Sequence, residues 1–377
     1  MTTHLNQYPD AVTMGGRFGW ALTKTLALRH PGWQLLFVMR DTKKVDEAKA
    51  TGLVSSFFED KIKKAGAPGL RKKIRMPGNV QFCSLDAFQK AFRGKVRKLF
   101  IPAVPSNRIR EVLTGMIDAG VPVSAFSDCE TLSVSKGMET ASLEFPHEIM
   151  DEILGCDAVV ALGGNLAFEF ALADPMLIEL AGFKANTRRI TQFFSGANLM
   201  IYETFNRRKL SLAGPMKNIH SLATGMTSEV FGYSSVSTVA TMGLSEFERA
   251  AFIVQFPKKW HGMARRLQRL PFHFRSVPLA GGAMSDYHLF RFTRNFSAGQ
   301  DFVRQVRQGL TALQAIAAIS RQATIESFVS ALPTREFLCR LGCRCPIIET
   351  MCRILAGEVT PEQGLEAVIR QKNLIPT

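Results

Sequence analysis

Lys217 and Asn218 stand side by side in Ala213-Gly214-Pro215-Met216-Lys217-Asn218-Ile219, an ammonium and a carboxamide among small and apolar residues. A lysine in such surroundings can have its pKa lowered toward a value useful for proton transfer. Far upstream, Ala11-Val12-Thr13-Met14-Gly15-Gly16-Arg17-Phe18-Gly19 leads from a weak strand into a helix that continues to about His30. In a Gly-x-Gly-x-x-Gly turn the first glycine allows the bend, the second admits a pyrophosphate and the third lets the helix pack on the strand. Gly16 and Gly19 occupy the second and third places, whereas Met14 occupies the first, so Gly15 is expected to take the bend. The next strand ends in Val38-Met39-Arg40-Asp41. Asp41 suits a free ribose 2′-hydroxyl and Arg40 a 2′-phosphate, which leaves NAD and NADP both open.

These residues need elements to carry them. Up to Tyr202 short apolar runs alternate with amphipathic stretches, the pattern of repeated strand-helix units on a mainly parallel sheet. Strands are expected at Leu35–Val38, Leu99–Val104 and Ala158–Leu162. Beyond Tyr202 helical periods dominate, at Leu244–Phe256, Val303–Arg321 and Thr360–Gln371. The fold class expected is α/β, with an N-terminal Rossmann-like dinucleotide-binding domain over residues 1–202 and a mostly α-helical substrate-binding and catalytic domain over residues 203–377. Asp60–Asn79, rich in Lys, Gly and Pro, reads as a loop or partly ordered insert. Leu270–Gly282, with Pro271, Pro278 and Gly281-Gly282, reads as a loop near the domain junction.

Composition bounds the function. A chain of 377 residues favours two domains, and 46% hydrophobic with 21% charged residues fits a globular protein. No apolar run reaches the roughly 18 residues that cross a bilayer. The segment Met1–Tyr8 lacks the pattern of a secretory signal, so the expected location is the cytoplasm. Seven cysteines, an odd number, do not make a disulfide framework. Cys339, Cys343, Cys345 and Cys352 cluster without a paired Cys-x-x-Cys or a nearby histidine, so no metal is expected. The net charge of +15 favours an anionic partner: a phosphorylated small molecule, nucleic acid or an acidic lipid surface. None of Lys61–Lys64, Arg71–Arg75 and Lys258–Arg269 is an aromatic-interleaved RNA-binding signature, so no nucleic-acid partner is expected, and peripheral membrane contact has no further support.

Taken in order, the motifs resemble those of the NAD(P)-dependent glycerol-3-phosphate dehydrogenases over nearly the whole chain. Gly15-Gly16-Arg17-Phe18-Gly19 resembles that family's Gly-x-Gly-x-[Trp/Phe]-Gly loop, and Ala103-Val104-Pro105-Ser106 its Val-Pro-Ser/Thr segment beside the cofactor. Ser135-Lys136-Gly137-Met138-Glu139 resembles Thr-Lys-Gly-[Ile/Leu]-Glu, and Gly163–Glu169 resembles Gly-[Pro/Ala]-[Ser/Asn]-[Phe/Ile]-Ala-x-Glu, with Ala167 at the alanine. Ala213–Asn218 resembles Gly-Ala-Leu-Lys-Asn, and Ser285-Asp286 with Arg294-Asn295 resembles Gly-Asp…Arg-Asn. Ile325–Ala331 is similar to Val-Glu-Gly-Val-x-Thr-Ala, which places Glu326 near the cofactor, and Cys345–Glu349 is similar to the terminal Met-Pro-Ile-x-Glu.

The resemblance implies hydride transfer between glycerol 3-phosphate and NAD or NADP in a homodimer. Its catalytic residues are Lys217 as acid and base, Asp286 as its orienting partner, and Lys136. Lys136 and Asn218 hold substrate oxygens, while Arg294 and Asn295 grip the phosphate. Gly15, Gly16, Arg17, Phe18, Gly19, Arg40, Pro105, Ala167, Arg294 and Glu326 line the cofactor. Singly, each has a plainer reading: a lone lysine is ordinarily a solvated surface residue, and Asp286 a cap or turn residue. Departures from the pattern lie close to the site. Met14 can crowd the pyrophosphate, Ser234–Met242 lacks the usual basic residues, and Phe290 stands in place of a threonine. They keep two alternatives in view: a reductase of another small hydroxy or keto acid, and a non-catalytic dinucleotide-binding scaffold.

Overall fold

A strand buried on both faces must be apolar throughout, and β1 (Ala11–Gly15) and β2 (Leu35–Met39) meet that condition with nearly every residue buried. They lie inside an eight-stranded sheet with β3 (Val80–Ser84), β4 (Leu99–Ala103), β5 (Glu130–Ser133), β6 (Val159–Gly163), β7 (Met176–Ala181) and β8 (Leu199–Thr204). The spatial order is β3-β2-β1-β4-β5-β6-β7-β8. All neighbours are parallel except β6 and β7. The helices are α1 (Arg17–Arg29), α2 (Thr42–Thr51), α3 (Ser55–Ala65), α4 (Leu70–Ile74), α5 (Leu85–Ala91), α6 (Ile109–Asp118), α7 (Pro146–Leu154), α8 (Ala167–Ala171), α9 (Lys184–Phe193), α10 (Arg207–Val230), α11 (Tyr233–Val254), α12 (His261–Leu267), α13 (Arg294–Arg307), α14 (Ala312–Ser320), α15 (Glu326–Arg340), α16 (Pro346–Leu355) and α17 (Pro361–Ile369). This computed structural model describes residues 5–67, 69–163, 167–256, 260–267, 293–321 and 325–370.

The chain forms two compact units, one of residues 1–135 and 146–207, the other of 136–145 and 208–377. The first is the α/β unit. One layer of its core gathers Trp20, Phe37, Phe57, Phe58 and Phe82, and the other gathers Val12, Met14, Leu36, Phe88, Phe92 and Phe100. The crossover order 3-2-1-4 puts a topological switch point between β1 and β4, where such sheets hold their ligands.

Two expectations require correction. The stretch Asp60–Asn79 is largely helical: it contains the end of α3 and all of α4. Burial of Phe57, Phe58, Ile62 and Ile74 overrides the polar composition, and Gly66, at φ +61°, closes α3. The indole of Trp20 then donates to the Ile74 carbonyl at 3.0 Å. The expected helix Val303–Arg321 is two helices. Gly309 at φ +94° ends the first turn sequence, and Thr311 with Gln314 forms a capping box that starts α14. Leu270–Gly282 lies outside the described residues.

The second unit is built on helices. α10 has an unbroken run of buried residues from Leu212 to Thr227, so no face of it is solvated there. It crosses α13 at backbone distance. A Cβ on Gly225 would stand 2.0 Å from the Phe296 carbonyl oxygen, and one on Gly299 would stand 2.3 Å from that of Leu222. Neither obstacle is a side chain that can swing away. Gly225→Ala and Gly299→Ala are each expected to destabilise the fold by at least about 1–3 kcal/mol, the scale of overpacking, read as a fall in urea midpoint.

Candidate active site

In the first unit the glycine turn performs three separable tasks. Gly15 sits at φ +133°, and a Cβ there would lie 1.9 Å from the Ala103 carbonyl oxygen, so only glycine can bring β1 this close to the end of β4. Gly16 is the opposite case: a Cβ would meet nothing within 4 Å, which leaves room where a pyrophosphate must approach the backbone. Gly19 packs α1 on the sheet, its Cβ position 3.2 Å from Thr13 Cγ2. No side chain caps α1 and no acidic residue occupies its first turn, so the first amides and the helix dipole favour an anion. Met14 does not crowd this space. It is buried 1% exposed in the core layer of Phe88 and Phe100, because Gly15 rather than residue 14 makes the bend.

The other expected cofactor residues fall around that turn. Arg40 follows β2 and Pro105 follows β4, the two neighbours of β1, so both stand at the same end of the sheet. Ser135 donates its hydroxyl to the Val104 carbonyl and ties the end of β5 to β4. Phe18 is half-buried and packs on Phe170, ring centroids 5.9 Å apart, while Ala167 opens α8 beside it. Arg17 is engaged with α3, at 3.3 Å from the Ser56 carbonyl and 3.9 Å from the Asp60 carboxylate. Asp41 caps α2, accepting from the amides of Lys43 at 3.0 Å and Lys44 at 3.4 Å.

The second unit assembles the polar residues. Lys217 is only 4% exposed at the middle of α10, which removes the solvated-surface reading of this lysine. Pro215, two residues earlier, lacks the amide that would bond the Ser211 carbonyl in the turn beneath it. Lys136 comes from the 136–145 segment, which is anchored in this unit by Phe145 edge-on to Phe337 at 5.2 Å. Its stem lies over Gly214, where an added Cβ would be 3.2 Å away, one helical turn before Lys217. Asn218 donates to a Glu326 carboxylate oxygen at 2.6 Å and accepts from Asn295 Nδ2 at 3.1 Å. Asn295 in turn accepts the Ser327 backbone N–H at 3.1 Å. Lys136, Lys217, Asn218, Arg294, Asn295 and Glu326 thus belong to one unit, with Arg294 as the first residue of α13. Asp286 and Phe290 lie outside the described residues.

Several supporting groups escaped the sequence reading. His220 Nε2 lies 3.1 Å from Glu246, and the same carboxylate accepts the Ile347 amide at 2.5 Å, where α16 begins. This buried pair links α10, α11 and α16 one turn beyond Lys217. Ser221 bonds Thr293 at 2.7 Å, and Thr293 caps α13 just before Arg294. The only available signal was the helical spacing of His220 and Ser221 after Lys217, which also describes ordinary core positions. The second buried lysine among the described residues, Lys24, is structural: it donates to the Ala171 carbonyl at 2.9 Å, and burial lowers its pKa.

A parallel sheet with a phosphate-admitting glycine turn at its switch point, and a helical unit presenting a buried lysine with a wired asparagine, define a two-domain nicotinamide-dependent dehydrogenase. The chain belongs to the NAD-dependent glycerol-3-phosphate dehydrogenase family, whose N-terminal model matches residues 11–187 and whose C-terminal model matches residues 208–366. It is therefore an NAD(P)-dependent oxidoreductase. A glycerol-3-phosphate dehydrogenase of Azotobacter vinelandii, named for NAD(P)+, is 26% identical over 367 residues, 96% of this chain and 94% of its own. The glycerol-3-phosphate dehydrogenase structure from Coxiella burnetii shares the fold at TM-score 0.73 and 20% identity, covering 97% of this chain and 100% of that one. The Plasmodium falciparum glycerol-3-phosphate dehydrogenase structure does so at 0.75 and 15%, covering 99% and 97%.

Because the space beside Gly16 is open, Gly16→Ala is expected to keep the wild-type melting temperature while weakening NAD(P)H binding by about tenfold or more, read by fluorescence titration. Gly15→Ala should instead lower the melting temperature.

Proposed function

We propose that this protein interconverts glycerol 3-phosphate and dihydroxyacetone phosphate, with Lys217 as the group that takes and returns the proton. The observation that carries this reading is the placement of Lys217, buried on α10 and flanked by Lys136 and Asn218. Oxidation removes a proton from the oxygen on carbon 2 and a hydride from that carbon. The nicotinamide, when bound, supplies the acceptor or donor of the hydride. Lys217 takes the hydroxyl proton in oxidation and returns it to the carbonyl oxygen in reduction. Lys136 and Asn218 hold the substrate oxygens, and the Arg294 guanidinium at the start of α13 meets the phosphate. Asp286 completes the set as the orienting partner of Lys217.

The dinucleotide is held by the turn Gly15–Gly19, with Phe18, Pro105 and Ala167 around it. The capping bonds of Asp41 support NADP over NAD: its carboxylate is committed to two α2 amides and lies 3.8 Å from Lys44, while Arg40 and Lys43 are exposed beside it. A 2′-phosphate meets positive charge there, whereas a ribose diol must compete for the acid. The homodimer, which rests on the family resemblance, and the cytoplasmic setting belong to the same proposal.

The test follows NADH and NADPH oxidation by purified protein with dihydroxyacetone phosphate. Wild type should turn over, and Lys217→Ala should lose at least about 100-fold in rate with nucleotide binding retained. A loss of only a few fold would remove Lys217 from the proton-transfer role. Nucleotide binding without wild-type turnover would favour the scaffold alternative. In direct titration NADPH should bind more tightly than NADH, and Arg40→Ala should narrow that preference by about tenfold, the weight of one charge-assisted hydrogen bond.

A further inference from the structure

We infer that α15 carries an internal hydration site: two ordered waters strung between the hydroxyls of Ser327, Ser330 and Thr334. The site is independent of the reaction proposed above. Ser327 and Thr334 are 0% exposed, and the oxygens of all three hydroxyls are buried without a hydrogen-bond partner among the described residues. A buried hydroxyl left without a bond destabilises a fold, so three in one place point to a ligand that bonds them.

Their spacing indicates which ligand. Positions 327, 330 and 334 are three and four residues apart on one helix, so their side chains lie in a row along it. Neighbours at these intervals hold their Cβ atoms about 5–6 Å apart. That is too far for one hydroxyl to bond the next, and it matches two O–H···O bonds placed end to end through a single water, about 5.5 Å. A hydroxyl has one hydrogen to give and two lone pairs to receive with, so Ser330 can serve a water on each side. Pro333, inside the helix, has no N–H for the Val329 carbonyl, which leaves a further acceptor next to Ser330. The row holds no charged side chain, so neutral water suits it and an ion does not.

The row joins two anchoring points of the second unit. At one end the Ser327 amide donates to Asn295 at 3.1 Å. At the other, Phe337 stands one turn beyond Thr334 and meets Phe145 of the segment that carries Lys136. The waters therefore lie along α15 between the asparagine pair and the anchor of the Lys136 segment. In the motif that Ile325–Ala331 resembles, the place of Ser327 is a glycine, so the first hydroxyl of the row is this chain's own.

Thr334→Val decides between a hydrated and a dry hydroxyl, because Val is branched at Cβ as Thr is but has nothing to offer a water. With a water bound, the substitution removes its bonds and should lower the melting temperature of the full chain by about 2–4 °C. An unchanged or raised melting temperature would mean a dry, unpaired hydroxyl and overturn the site. Combined with Ser330→Ala, Thr334→Val should lose clearly less than the sum of the two single losses, since both hydroxyls hold the same water. Strict additivity would count against that shared water and overturn the inference as well. The wild-type protein supplies a readout that no folding failure can spoil. Its high-resolution crystal structure should show a water within about 3 Å of both hydroxyl oxygens at each step of the row. Hydroxyls bonded to protein carbonyls, or apolar atoms filling the space between them, would sink the proposal.

Discussion

Two helices of the second unit touch backbone to backbone, and the arrangement of its polar groups follows from that approach. At Gly225 and Gly299 there is no space for a methyl group, so α10 and α13 are held closer than side chains would permit. Asn295 lies one turn before Gly299, and Asn218 two turns before Gly225. At that separation two short carboxamides meet directly at 3.1 Å, and a third element, the start of α15, adds Glu326 and the Ser327 amide. Longer side chains would bridge a wider gap, but with more rotamers to restrain. Close packing thus substitutes for length in fixing the groups around Lys217.

The α/β unit applies the same device to another end. Gly15 lets β1 approach β4 at a carbonyl, and Gly19 lets α1 settle on the sheet, while Gly16 leaves the intervening space open. Gly15, Gly225 and Gly299 each mark contact between backbones, whereas an added Cβ on Gly16 would meet nothing within 4 Å. A network of buried polar links, Glu246 with His220 and the Ile347 amide, then ties three helices of the second unit near the lysine. Buried acceptors and donors of this kind are satisfied one for one, which makes the arrangement specific as well as stable.

Much of this was legible in the sequence because order along the chain and local periodicity are sequence properties. The strands at Leu35, Leu99 and Val159 follow from apolar runs, and Lys217-Asn218 stood out against its apolar surroundings. What escaped depends on tertiary burial. Asp60–Asn79 looked like a loop because its charges are conspicuous and its few apolar residues sparse, yet Phe57, Phe58, Ile62 and Ile74 suffice to seat two helices. Met14 looked like an obstruction because a motif template assigns a place by count, whereas the bend falls where φ becomes positive, at Gly15. The break at Gly309-Leu310-Thr311 is marked by local signals, a glycine and a capping pair, but the apolar period runs on across it. The wiring of Asn218 to Asn295 and Glu326 joins residues 77 and 108 positions apart, and nothing in a single sequence announces such pairings.

The segment 136–145 leaves the α/β unit after Ser135, contributes Lys136 and Phe145 to the helical unit, and returns at Pro146. The helical unit is therefore discontinuous in the gene. A ribosome making this chain releases one piece of that unit more than sixty residues before the rest, which begins at Arg208. No single cut yields two complete halves, and a chimera that exchanged everything after residue 207 would keep the Lys136 of one parent and take the Lys217 of the other. Recombination at the obvious boundary would therefore separate two lysines that belong to one unit.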